Sequence, residues 1–215
     1  MEKTVLLFRH GEPSDKDCCK GNQLNCELSA EGERQTLENV LWALFACRNQ
    51  LEPTLVVTSP LTRACRFGEV WKQQQEQLSL EPSQHLILPD FTDIGVGEWE
   101  GKPWKQIERE YPEQFARVKD AEKLEIPGGE NLGVFIKRIR GVWQEILTFK
   151  HTHVVVVGHS ANNAVILADI GKYPLDFKSQ DIGCVNKIEI DSSGEAHVTM
   201  HNGIVHHSLH ECSTS

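Results

Sequence analysis

Four short apolar runs rich in β-branched residues, Lys3–Phe8, Leu55–Thr58, His85–Leu88 and Val154–Val157, are separated by longer stretches whose apolar residues recur at helical spacing. A chain that alternates strands with helices packs most simply as a largely parallel sheet covered on both faces. Ser29 can cap a helix carrying Leu37, Val40, Leu41, Leu44 and Phe45 on one face and ending before Pro53. Ser59-Pro60 has the order of an N-cap followed by a first-turn proline, which opens a helix to about Gln75. Gly95, Gly97 and Gly101 mark an irregular loop, and a helical region is expected from about Pro103 to Lys123. Asn131 can cap a helix bearing Leu132, Phe135, Ile136, Ile139, Val142, Trp143 and Ile146, and a further helix starts at Ser160. Cys184–Ile190 and Ala196–Met200, joined across Ser192-Ser193-Gly194, read as an antiparallel hairpin. The expected fold is α/β: a three-layer α/β/α sandwich with a mostly parallel sheet, a terminal antiparallel hairpin and a small α-helical insertion at 102–129, all in one domain over 1–215.

The 22 Lys and Arg against 31 Asp and Glu among 215 residues give a formal charge of −9. Such a field repels polyanions and argues against nucleic-acid binding, so an anionic small molecule needs a pocket of concentrated cations. The apolar run Val5–Phe8 is too short for a signal-peptide core, and no segment reaches the roughly 20 apolar residues of a membrane span. Seven scattered cysteines without a C-x-x-C pair suggest neither a disulfide framework nor a zinc ribbon, and indicate a reducing cytosol. Cys18-Cys19 is a candidate redox pair, with incidental thiols the preferred reading.

In open parallel sheets ligands bind beyond the carboxyl ends of the strands. Two histidines fall there: His10 in Arg9-His10-Gly11-Glu12, and His159 in Gly158-His159-Ser160. Arg63, one turn into the helix after the second strand, can reach the same rim, where helix-start amides are also free. A lone histidine or arginine would be read as structural; the coincidence of the three reads as a site.

Leu-Phe-Arg9-His10-Gly11-Glu12, Ser59-Pro60-Leu61-Thr62-Arg63-Ala64, Gly97-Glu98-Trp99-Glu100-Gly101, Pro127-Gly128-Gly129-Glu130 and Gly158-His159-Ser160 occur in one order from Leu6 to about Leu167. In these five blocks the chain resembles the histidine phosphatase superfamily, in its phosphoglycerate-mutase-like branch. The resemblance implies that His10 is the phosphorylated nucleophile, that Arg9, Arg63 and His159 bind the phosphoryl group, and that no cofactor is used. On physical grounds a neutral imidazole can attack phosphorus in line. Two guanidiniums, an imidazolium and the amides near Ser160 can meet the charge on the equatorial oxygens, with no metal.

The family usually draws its proton donor from a glutamate four residues before the first glycine of the G-x-W-E-G block. Here that position is Asp93, one methylene shorter, with Glu12, Glu98 and Glu100 as neighbouring alternatives. For Glu98 and Glu100 a solvated charge or an arginine partner is the preferred reading. The function expected is hydrolysis of a small phosphorylated metabolite through phosphohistidine. A phosphoglycerate mutase is the rival, disfavoured because 102–129 offers only dispersed Lys105, Arg109, Arg117, Lys119 and Lys123. A catalytically weak phosphate-recognition module is the second. The tail histidines His201, His206, His207 and His210 with Cys212 invite a metal reading, but Asn202-Gly203 and β-branched Ile204-Val205 argue for a surface strand and frayed end. Trp99 resembles the family's loop aromatic, and Trp143 reads as core.

Overall fold

A computed structural model describes residues 2–47, 54–118, 124–171 and 173–205. In chain order these form β1 (Lys3–Arg9), α1 (Ala30–Cys47), β2 (Leu55–Thr58), α2 (Thr62–Gln77), β3 (Gln84–Ile87), α3 (Trp104–Glu110), α4 (Pro112–Ala116), α5 (Leu132–Thr148), β4 (His153–Gly158), α6 (Ser160–Gly171), β5 (Val185–Ile190) and β6 (Ala196–Gly203). The sheet order is β3-β2-β4-β1-β5-β6. Pairing is parallel from β3 through β1 and antiparallel for β1–β5 and β5–β6, as expected of a terminal hairpin. No helix among the described residues is long and apolar enough to cross a membrane.

Strand side chains alternate between faces, and the two cores follow that period. Val5, Leu7, Val57, Val154 and Val156 pack with Phe135, Ile139, Val142 and Ile146 of α5 and Val165 of α6. Leu6, Phe8, Val56, Val155 and Val157 pack on the other face with Val40 and Leu44 of α1 and Phe67, Val70 and Trp71 of α2. Trp143 is core, as expected.

Three elements differ from the sequence expectation. α2 begins at Thr62 instead of Ser59: Ser59 still donates its amide to Val157, in the manner of a strand, and the Thr62 amide is capped by Asn25 Oδ1 at 2.7 Å, from a loop far back in the chain. The buried face of α1 is Gly32, Thr36, Asn39, Val40, Ala43 and Leu44, which leaves Leu37 and Phe45 exposed. Polar contacts turn the helix this way, since Asn39 Nδ2 donates to the Gly183 carbonyl at 2.8 Å. The helical region after Pro103 is split at Tyr111, because a residue before proline is disfavoured in α geometry and Tyr111 sits at φ −132, ψ 55. Residues 119–123 lie outside the described residues, as do His206, His207, His210 and Cys212. His201 lies on β6, stacked on Tyr173.

The segment after β1 crosses α1 glycine on glycine. A Cβ on Gly11 would lie 2.5 Å from the Gly32 carbonyl oxygen, and one on Gly32 would lie 2.0 Å from that of Glu12. Ser29 secures the crossing: its hydroxyl donates to Glu12 Oε1 and its amide to the Glu12 carbonyl, both at 2.8 Å. Because backbone opposes backbone, Gly32→Ala is expected to cost about 1–3 kcal/mol, as overpacking does. Urea unfolding measures this, and an unchanged midpoint would contradict the close crossing.

Candidate active site

Register assembles the site. Arg9 pairs with Gly158 across β1 and β4, so His10 and His159 leave neighbouring central strands side by side. Their ring centroids are 5.1 Å apart. Ser59, just past β2, completes the row, with its Oγ 2.7 Å from His159 Nε2. The sequence offered Ser59 only as a helix cap, so its contact with His159 was missed.

His10 Nδ1 lies 2.7 Å from the Gly11 carbonyl oxygen. A carbonyl only accepts, so Nδ1 carries the proton and Nε2 keeps its lone pair. The ring lines a cavity of about 510 Å³ together with Arg9, Arg63, Asp93 and Ser160. Arg63 is fully buried and donates to the carbonyls of Gly21 (3.0 Å) and Leu24 (3.1 Å) and to Asp93 Oδ2 (3.1 Å). Asp93 Oδ1 accepts from the Ile94 amide at 2.9 Å, and Oδ2 lies 3.5 Å from His159 Nδ1. Arg9 reaches the Gln180 carbonyl. The Nε atoms of Arg9 and Arg63 and Nδ1 of His159 are buried without a hydrogen-bond partner. The two unpaired guanidinium N–H groups belong to residues that line one cavity, the arrangement an anion requires.

Burial, reinforced by the Arg63 and Arg9 charges, pushes His10 well below its ordinary 6.5. Burial does the same to His159, again with Arg63, and His10 and Arg9 add to it. The imidazolium expected at position 159 is therefore a neutral ring in the free site. Asp93 moves upward: burial outweighs the pull of Arg63 and the Ile94 amide. A carboxyl whose burial favours the protonated form, beside imidazoles shifted towards neutrality, is suited to donate a proton.

The other carboxylates are engaged elsewhere. Glu12 binds Ser29 and Lys16, and these bonds lower its pKa. Glu98 is exposed and accepts from the Tyr111 hydroxyl at 2.8 Å. Glu100 is neither solvated nor paired with arginine: Oε1 accepts from the amides of Gly21 (2.8 Å) and Leu24 (3.0 Å). The Ser160 hydroxyl donates to the Phe177 carbonyl. Cys18 and Cys19 line the cavity wall, with the buried Cys19 thiol pushed up to about 12.

Beyond the polar floor, Ile94, Val96, Trp99, Trp104, Val118, Leu124, Ile126 and Phe177 form an apolar stretch of wall, and Lys16, Lys20, Gln180 and Asp181 also line the cavity. Lys178 stands at this wall with Nζ 4.8 Å from the Trp104 ring centroid and 5.0 Å from that of Phe115. Nothing in the sequence placed Phe177 or Lys178 here; they come from the irregular segment between α6 and β5.

The family model of the histidine phosphatase superfamily, branch 1, matches residues 5–203, and the chain belongs to that superfamily. Solved structures share its fold. Bacillus stearothermophilus YhfR superposes with a TM-score of 0.79 at 21% identity, covering 94% of this chain and 98% of its own. The alpha-ribazole phosphatase from Shigella flexneri gives 0.71 at 21% identity, with 94% and 97% covered. The mycobacterial glucosyl-3-phosphoglycerate phosphatase gives 0.75 at 19% identity, with 94% and 100% covered. Among curated proteins, the 6-phosphofructo-2-kinase/fructose-2,6-bisphosphatase of Gallus gallus is 24% identical over 186 residues. The match takes in 84% of this chain, which spans about a third (34%) of the length of that relative.

The depressed histidines have a consequence for stability. Below their ordinary 6.5 the unfolded chain binds protons that the folded site refuses, so their contribution is complete above that value and declines as pH falls. Asp93 acts in the opposite sense, since its raised value makes its contribution fade as pH rises above 3.8. Urea midpoints should therefore fall between about pH 7.5 and 5.5, and less steeply in His10→Asn and His159→Asn. Slopes identical to the wild type in both variants would rule out neutral buried imidazoles.

Proposed function

We propose that the chain is a metal-independent phosphomonoesterase, a single histidine-phosphatase domain that hydrolyses a small phosphorylated metabolite through a phosphohistidine on His10. The observation that carries this reading is the 2.7 Å contact of His10 Nδ1 with the Gly11 carbonyl, which assigns the proton to Nδ1 and the lone pair to Nε2, on a ring that lines the cavity with Arg9 and Arg63 and lies beside His159. Nε2 attacks phosphorus as the bond to the ester oxygen breaks, and Asp93 gives that oxygen its proton. Water then attacks the phosphohistidine and loses its proton to Asp93. The N–P bonding pair returns to Nε2 as inorganic phosphate leaves. Arg9 and Arg63 stabilise the equatorial oxygens, His159 donates from its edge, and Ser160 contributes its backbone amide. An arriving phosphoryl dianion further disfavours ionised Asp93, so substrate itself keeps the acid protonated.

The names of the similar structures support a small phosphorylated metabolite as substrate. The apolar wall supports an ester body with an apolar face, and the 102–129 segment is read as the cover that supplies much of that wall. It also favours hydrolysis over mutase chemistry: Lys105, Arg109 and Arg117 do not line the cavity, and Lys119 and Lys123 lie outside the described residues. Six free cysteines among the described residues fit a reducing, cytosolic compartment.

Rapid denaturation during turnover should trap phosphate on His10 as an acid-labile, alkali-stable adduct, and His10→Ala should abolish both adduct and turnover. Peptide mapping that placed the label on Ser59, Ser160 or a cysteine would overturn the mechanism. Exhaustive chelation should leave the rate unchanged and vanadate should inhibit; activity lost with chelator and restored by zinc or magnesium would reject the metal-free mechanism. Trp104→Ala should lower kcat/KM for naphthyl phosphate by about tenfold, as lost apolar contact does, and change that for glycerol phosphate little. Equal losses would remove the apolar wall from substrate selection.

A further inference from the structure

Asp93 occupies a stretch with no regular structure, 92–96, after a short 3₁₀ turn at Pro89–Phe91. Its position is nevertheless fixed from outside the cavity. Arg138, on α5, donates to Glu130 through Nε (Oε1, 3.1 Å) and NH2 (Oε2, 2.7 Å). NH1 donates to the carbonyls of Asp90 (2.7 Å) and Thr92 (3.0 Å), and NH2 also to that of Asp93 (3.3 Å). All five N–H donors of the guanidinium are thereby used. Glu130 binds the far end of the same stretch: its amide donates to the Gly95 carbonyl at 2.8 Å, and Oε2 accepts from the Gly95 amide at 3.2 Å. From α6, fully buried Asn162 donates to the carbonyls of Phe91 (2.8 Å) and Thr92 (3.3 Å). Arg138, Glu130 and Asn162 do not line the cavity.

We propose that the Arg138–Glu130 pair is a positioning device for the proton donor, holding the Asp93 backbone at the height from which its carboxyl reaches the ester oxygen. The proposal rests on the reading of Asp93 as general acid. The shortened side chain gives the clamp its importance. An aspartate has two side-chain torsions and a short reach, so a backbone displacement passes to the carboxyl with little chance of correction. The pair is ionic and mostly buried, with the Arg138 and Glu130 side chains 16% and 17% exposed, so removing one partner leaves the other charge unpaired and the stretch free to move.

The test compares kcat/KM across phosphomonoesters of rising leaving-group basicity, from p-nitrophenyl phosphate through phenyl phosphate to glycerol phosphate. The wild type is set against Arg138→Gln, Glu130→Gln, Asp93→Asn and the Arg138→Gln/Asp93→Asn double variant. Loss of an acid's alignment should cost about 10- to 100-fold on glycerol phosphate and under about 3-fold on p-nitrophenyl phosphate, steepening the dependence on leaving-group basicity. The double variant should be no worse on glycerol phosphate than Asp93→Asn alone, because both changes remove one function. Equal losses on all esters, or additive losses in the double variant, would overturn the positioning role while leaving Asp93 as acid. Asp93→Asn losses that ignore the leaving group would overturn the Asp93 reading and the proposal with it. Circular dichroism checks folding of each variant; should Arg138→Gln fail to fold, Arg138→Lys, which keeps the charge but offers fewer donors, carries the same comparison.

Discussion

The parallel pairing of β1 with β4 sets the position of everything else. Both strands are apolar on both faces because helices cover both sides, and their register ends with Arg9 opposite Gly158. A one-residue slip of β4 against β1 would exchange the residues that meet each set of helices and carry His159 out of line with His10, so the packed register of the two buried strands also sets the juxtaposition of the histidines. Strand burial thus does the work of aligning a nucleophile with its neighbour, and no flexible loop is asked to do so.

Electrostatics follow from that placement. A chain of net charge −9 gathers the fully buried Arg63 and the half-buried Arg9 at one end of its central strands, where low polarity makes each charge felt strongly. Burial, helped by the cations, lowers both imidazoles, and it raises Asp93 against the pull of Arg63 towards ionisation. One environment therefore shifts the two kinds of group in useful directions, the imidazoles towards neutrality and the carboxyl towards its protonated form.

The strands, the Asn131 cap and the terminal hairpin were legible because they rest on local signals: β-branched runs, a capping side chain and turn residues. His10, Arg9, Arg63, Asp93 and His159, named from motif blocks, converge in space. What escaped the sequence depends on partners distant along the chain. The start of α2 is moved by Asn25, the face of α1 by Gly183, and Ser59 faces His159, 100 residues away. Arg138 gave no signal, since an arginine on an amphipathic helix looks the same whether it meets water or three carbonyls. The break at Tyr111-Pro112 is a different failure: the proline rule was available and the helical pattern was read across it.

The loop after Cys19 has its two kinds of backbone group divided between two side chains. Glu100 takes the amides of Gly21 and Leu24, and Arg63 takes the carbonyls of the same two residues. Any anion that draws the Arg63 guanidinium towards itself must loosen one half of that grip while leaving the other intact. The loop therefore has one anchor that a cavity occupant can share, the Arg63 guanidinium, and one outside the cavity lining, Glu100, so its amides stay latched while its carbonyls are the part left to respond.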